Sequence, residues 1–156
     1  ERGEDFGSVW YAFSLLDLSL PNTNLIYIII SVILFVLFTK LLLQLKKTPS
    51  LAQVALFAVV IFTTFSKVYS PQYILWLTPL AVIALQNSRQ QISFWLWQVT
   101  EIIYHFAIWQ YLALYAGTEF GLPAGGYALA TLLRVVGVGS FSYQLLRDLA
   151  VKSTAK

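Results

Sequence analysis

The chain has 156 residues, of which 58% are hydrophobic, 16% aromatic and only 11% charged, with a formal net charge of +3. A charged fraction so far below the roughly 25% of a soluble domain excludes an ordinary water-soluble core, and it predicts an all-α, polytopic membrane bundle. The absence of cysteine excludes a disulfide framework, a thiolate metal site and a cysteine nucleophile.

No methionine occurs either, so Glu1 is not expected to start a gene product. The sequence reads as a piece of a longer or processed polypeptide, with the remaining N-terminal part of the same chain as its partner. Residues 1–8, ERGEDFGS, are acidic and polar where a signal peptide needs a basic start and an apolar run.

In residues 8–20, Val9, Phe13, Leu16 and Leu20 recur at helical spacing with Trp10 and Tyr11 beside them. That stretch is too short to cross a bilayer and predicts an interfacial helix. Residues 1–24 are therefore read as an outward-facing loop and interfacial helix, and residues 25–156 as a transmembrane helical bundle. Five segments approach the roughly 20 apolar residues that a spanning helix needs: 25–45, 50–66, 72–87, 92–116 and 126–146. The second and third are short. Pro79 lies inside the third and favours a kink, so the pair around SKVYSPQY is expected to be tilted or partly re-entrant. The AGG at 124–126 is a turn signal ahead of the last helix.

Basic residues set the orientation. With the 46–47 loop cytoplasmic, Lys40, Lys46, Lys47, Arg89, Arg147, Lys152 and Lys156 share its side, against Arg2 and Lys67 opposite, a split of seven to two. The acidic residues follow: Glu1, Glu4, Asp5, Asp17 and Glu119 outside, Asp148 inside. The expected location is the plasma membrane, multi-pass, with the N-terminal segment and the 66–73 loop outside and the C-terminus cytoplasmic. The positive charge is thus a topology signal and implies membrane lipid, not nucleic acid, as a partner.

Lys67 is the first candidate for chemistry. Beside Tyr69, Ser70, Gln72 and Tyr73, its ammonium is suited to a phosphate or pyrophosphate head group, with the hydroxyls and the amide as hydrogen-bond partners. The competing account is a lysine snorkelling from a helix end among interfacial aromatics. In the fourth segment Gln98, Glu101 and His105 fall on one helix face, and Arg134 in the fifth reaches a similar depth. A charge at mid-membrane costs at least about 2.5 kcal/mol, which predicts a structural ion pair between Glu101 and Arg134 with His105 as a hydrogen-bond partner. The alternative makes these groups a proton path or a polar ligand cavity. One histidine and no cysteine make no typical zinc site. Glu4 and Asp5, ahead of the interfacial helix, are the weak candidates for an acid–base role or a metal–phosphate contact. The GVGS at 137–140 reads as small residues that let helices approach.

KVYSPQYILWLTPL resembles the late part of bacterial GT-C membrane glycosyltransferases, in particular the polyprenol-phosphate-mannose-dependent, mannosyltransferase-like glycosyltransferase family 87. ERGEDFGSVWY, QVTEIIYHFAIWQYLAL and the closing LLR and RDL are similar in pattern. The resemblance implies a polyprenyl-phosphate sugar as donor, an extracytoplasmic acceptor, and Lys67, Tyr69, Ser70, Gln72 and Tyr73 as the border of the carrier site. In that family the acidic residue thought to activate the acceptor lies in an earlier outward loop, so no catalytic base is carried over and this stretch alone is not expected to be active. Two alternatives stand beside it: half of a transporter or lipid flippase, and a noncatalytic membrane scaffold.

Overall fold

The computed structural model describes residues 3–18, 20–45 and 48–154, with side chains as far as Ala150. Glu1, Arg2, Lys46, Lys47 and Lys156, which enter the orientation argument, lie outside the described residues, as does the side chain of Lys152. The described residues form six α-helices and no strand: α1 (Val9–Ser14), α2 (Thr23–Gln44), α3 (Leu51–Phe65), α4 (Ile74–Ala84), α5 (Ser88–Tyr115) and α6 (Ala124–Thr154), with a 3-10 turn at Pro71–Tyr73 leading into α4.

Local chemistry sets the ends. Ser50 and Gln53 make a reciprocal capping box at the start of α3, with Ser50 N–H donating to Gln53 Oε1 at 2.9 Å and Gln53 N–H to Ser50 Oγ at 3.3 Å. Asn87 caps α5 by accepting from Gln90 N–H at 3.0 Å. Pro71 opens the turn into α4, where a missing N–H costs nothing. Pro79 sits within α4, which stops at Ala84 after 11 residues.

Helices α2 to α6 run alternately up and down. Phe38 packs on Phe57 at 5.2 Å, pairing α2 with α3. Gln53 donates to the Ala84 carbonyl, which places the start of α3 at the end of α4. Asn87 and Gln90 donate to Asp148 Oδ2 at 2.7 and 2.8 Å, tying the start of α5 to the far part of α6. At the opposite end Tyr111 stacks on Tyr127 with centroids 4.5 Å apart, joining the end of α5 to the start of α6. Arg89 and Arg147 thus belong to the end away from Lys67. The α5–α6 contact is close because of Gly137, where a Cβ would run into the Thr100 side chain.

Two apolar clusters fill the interior. One, toward the Asp148 end, includes Leu56, Phe57, Leu77, Trp97 and Phe141; the other, toward the Lys67 end, is built on Tyr69, Tyr104, Ile108, Tyr111 and Tyr127. Polarity is otherwise inverted relative to a soluble protein. Gln53, Gln90, Thr131, Glu101 and Arg134 are buried, while Leu75, Ile83, Leu96, Phe106 and Trp109 are each more than 60% exposed. A contiguous apolar exterior of this extent marks contact with lipid or another apolar surface.

The five expected spans all form helices, but only two of them, α2 and Ala124–Ala150 of α6, are both long and apolar enough to cross a membrane. Helix α5 has the length, about 42 Å for its 28 residues, but not the apolarity, because it carries Arg89, Glu101, His105 and several glutamines. Helix α3 reaches only about 22 Å for its 15 residues, against a hydrocarbon thickness of about 30 Å. The expected interfacial helix is also different. It ends at Ser14, and Val9 and Trp10 are buried against protein, because Trp10 Nε1–H donates to the Phe65 carbonyl at 2.7 Å.

Candidate functional site

At the end where α3 gives way to α4, the loop 66–70, the segment before α1 and the facing ends of α5 and α6 meet around Arg134. The guanidinium carbon of Arg134 lies 3.4 Å from the Tyr69 ring centroid and 4.6 Å from that of Tyr104, so the cation sits in the corner formed by two nearly perpendicular rings. Such contacts contribute about 2 kcal/mol or more when desolvated, and Arg134 is only 1% exposed. Arg134 Nη2 donates to the Gly7 carbonyl at 3.2 Å, and the neighbouring Tyr127 hydroxyl donates to the Phe6 carbonyl at 2.7 Å.

Residues 3–8 form a strap over this centre. The Asp5 N–H donates to the Lys67 carbonyl at 3.0 Å, and Ser8, whose side chain caps α1 by accepting from Tyr11 N–H, closes back onto the Asp5 carbonyl. Gly7 is required where it stands: a Cβ would overlap the Tyr69 carbonyl oxygen and approach the Tyr104 hydroxyl to 2.6 Å. Next to the strap, Tyr11 and Tyr111 share a 2.7 Å hydroxyl contact. Burial, followed by that contact, pushes the Tyr11 phenol up from its ordinary value. Burial also pushes the Tyr69 phenol up to about 12, against a partial counter-effect from Arg134.

The expected Glu101–Arg134 ion pair does not take the form of a direct hydrogen bond. Glu101 Oε1 accepts from Trp97 Nε1–H at 2.9 Å, while Glu101 Oε2 and Arg134 Nη1 have no partner among the described residues. The contacts with the Tyr69 and Tyr104 rings and the bond to Gly7 hold the guanidinium away from a direct bond to the carboxylate. His105 does not serve the carboxylate either. Its Nδ1 meets the Glu101 backbone carbonyl at 2.7 Å, an acceptor only, so Nδ1 carries the proton. The hydroxyls of Tyr69 and Tyr104 and Gln98 Nε2 also lack partners, and each such buried group costs about 1–3 kcal/mol.

The five residues expected to border a carrier site separate. Tyr69 turns inward to Arg134, and Tyr73 packs edge-on against Tyr69 and stacks on Trp76 at 4.8 Å. Gln72 is exposed and Ser70 half-buried. Lys67 goes the other way. With Asn22, Thr23, Asn24 and Leu25 it lines a recess of about 460 Å³ at the start of α2. Helix α2 begins without a side-chain cap and with no acidic residue in its first turn, so the positive end of its dipole is not offset there. Glu4 and Asp5 sit half-buried on the strap. No group of three His, Asp or Glu side chains gathers among the described residues.

Residues missed by sequence reasoning carry much of this centre: Gly7, Tyr104, Tyr111 and Tyr127. Three of them had a signal. Tyr104 and Tyr111 lie three and ten residues beyond Glu101 on its helical face, and Tyr127 lies seven before Arg134, two turns away on the same face. Comparison with known proteins finds no matching family model, curated protein or solved structure.

Proposed function

We propose that this chain is the membrane part of a glycosyltransferase that takes a sugar, mannose or a related hexose, from a polyprenyl-phosphate carrier and passes it to an acceptor outside the plasma membrane. In this reading α2 to α6 all cross the bilayer, with the shorter α3–α4 hairpin accommodated by tilt or local thinning. The N-terminal strap and the 66–73 loop face outward.

The observation that carries the reading is the recess that Lys67 shares with the uncapped start of α2. An ammonium and a helix N-terminus together suit the phosphate that departs with negative charge when the sugar is transferred. An apolar groove of about 330 Å³ between α2, α3 and α6, walled by Leu34, Phe38, Val60 and Val138, includes Thr64 and Phe65 near the Lys67 end. It supports the reading by offering room for the hydrocarbon of the carrier. Asp5, tied by its backbone to Lys67, is the acidic residue best placed to meet the acceptor.

The test is transfer of radiolabelled mannose from a synthetic polyprenyl-phosphate mannose in membranes containing this chain together with the N-terminal part expected to supply the base. Lys67→Ala is expected to lower transfer at least tenfold without changing the thermal stability of the protein, and Lys67→Arg to retain a measurable part of it. Transfer undiminished in Lys67→Ala would refute the assignment.

A further inference from the structure

We infer that the Arg134 centre is a phosphate-binding site and that the strap of residues 3–8 is its lid, with the Phe6 and Gly7 carbonyls standing where phosphate oxygens would sit. The inference rests on the residues around Arg134 and does not depend on glycosyl transfer or on Lys67 holding a carrier.

The polar groups gathered around Arg134 are all able to donate. Arg134 Nη2 and the Tyr127 hydroxyl are each met by a strap carbonyl. Arg134 Nη1 and the hydroxyls of Tyr69 and Tyr104 make no well-formed hydrogen bond among the described residues, with Arg134 facing the Tyr69 hydroxyl and Tyr127 facing that of Tyr104, although these three residues are 1%, 4% and 0% exposed. Two successive carbonyls present two oxygens to five donors. A tetrahedral oxyanion presents more acceptor positions, and the guanidinium edge is shaped for bidentate contact with it. The near-perpendicular rings of Tyr69 and Tyr104 hold that guanidinium in the corner between them before any ligand arrives.

Charge agrees with this assignment. The strap carries the half-buried Glu4 and Asp5, and Asp5 is tied by its N–H to the Lys67 carbonyl, so lifting the strap takes two carboxylates away with it. Glu101 stays on the inner side of Arg134, where its Oε1 is engaged by Trp97. Among the described residues, Asp5 to Lys67, Tyr127 to Phe6 and Arg134 to Gly7 are the hydrogen bonds that tie the strap to the bundle, beside the edge-on packing of Phe6 against Tyr111 and Tyr115, and the lid closes only because residue 7 has no Cβ. Displacing the strap would pass Arg134 and Tyr127 from backbone carbonyls to the ligand and offer the Tyr104 hydroxyl an acceptor.

Two probes separate the sources of phosphate: inorganic phosphate titrated calorimetrically into the purified chain, and phosphatidylcholine nanodiscs with and without phosphatidic acid. Gly7→Ala, which cannot seat the lid, is expected to tighten phosphate binding at least tenfold. Adding Tyr104→Phe, which keeps the ring and removes one donor, is expected to weaken it at least threefold. In the unaltered protein, saturating phosphate is expected to speed amide hydrogen exchange at Asp5 and Ser8 as the strap lifts, a readout that holds even if Gly7→Ala misfolds. Binding of inorganic phosphate would identify a soluble oxyanion, and binding of phosphatidic acid alone a lipid phosphate; both sustain the site. No binding of either form, an affinity indifferent to Tyr104→Phe, or unchanged exchange in the strap would overturn it.

Discussion

Replacing Arg134 by leucine removes the only buried cation among the described residues and tests what holds the Lys67 end together. Three losses combine. The stacked contacts to Tyr69 and Tyr104, at 3.4 and 4.6 Å, are desolvated and contribute about 2 kcal/mol or more. The bond to the Gly7 carbonyl has a charged donor, worth about 1.5–3 kcal/mol. Glu101, 3% exposed, is left without a nearby opposite charge, and orphaning a buried charge costs about 3–5 kcal/mol. These terms overlap, and removing the unpartnered Nη1 returns part of them, so Arg134→Leu is expected to destabilise by at least about 3 kcal/mol. Arg134→Lys keeps the charge but not the planar stacking, and is expected to lose about half as much. The assay is equilibrium unfolding in mixed micelles followed by tryptophan fluorescence. A double-mutant cycle with Glu101→Gln should give a coupling of at least about 1 kcal/mol. A loss below about 1 kcal/mol for Arg134→Leu, or no coupling to Glu101, would refute the reasoning.

Two further predictions follow from close packing and from burial. Gly137→Ala is expected to cost about 1–3 kcal/mol because its Cβ would enter the Thr100 side chain. Gly139→Ala, which meets nothing within 4 Å, is expected to gain about 0.5–1 kcal/mol from helix propensity; equal effects in thermal unfolding would contradict the α5–α6 register. The Tyr69 phenol ionises near 12 in the folded chain, above its unfolded value of about 10. Its contribution to stability is therefore complete below about pH 10 and is lost as pH rises toward about 12, at about 1.4 kcal/mol per pH unit. Tyr69→Phe should flatten that part of the stability profile, and an unaltered slope would place the titration elsewhere.

The helices were legible in the sequence because long apolar runs bounded by Ser50, Asn87 and the AGG turn leave little choice. Which of them cross a membrane was less so, because α3 and α4 are short and α5 mixes polar residues into an apolar surface. Gln98, Glu101 and His105 do share one side of α5, where they line a recess with Ile74, Ile102 and Phe106, but the most deeply buried face is Phe94, Trp97, Glu101, Tyr104, Ile108 and Tyr111. Aromatic residues are the interior here, and Glu101 is the position the two stripes share. Gly7 was silent in the sequence, since its role depends on the Tyr69 carbonyl and the Tyr104 hydroxyl arriving from distant segments. Lys67 parted from Tyr69 because a loop with no regular repeat gives no rule for which side chain turns inward.

The most direct test of the membrane architecture uses the absence of native cysteine. Single cysteines at Gln72, Arg89 and Thr118, all exposed, can be labelled with a membrane-impermeant maleimide on intact cells. Up-and-down crossing predicts labelling of Gln72→Cys and Thr118→Cys from outside, and of Arg89→Cys only after permeabilisation. Labelling of Gln72→Cys and Arg89→Cys from the same side would mean that α4 does not cross, and would contradict the five-span account.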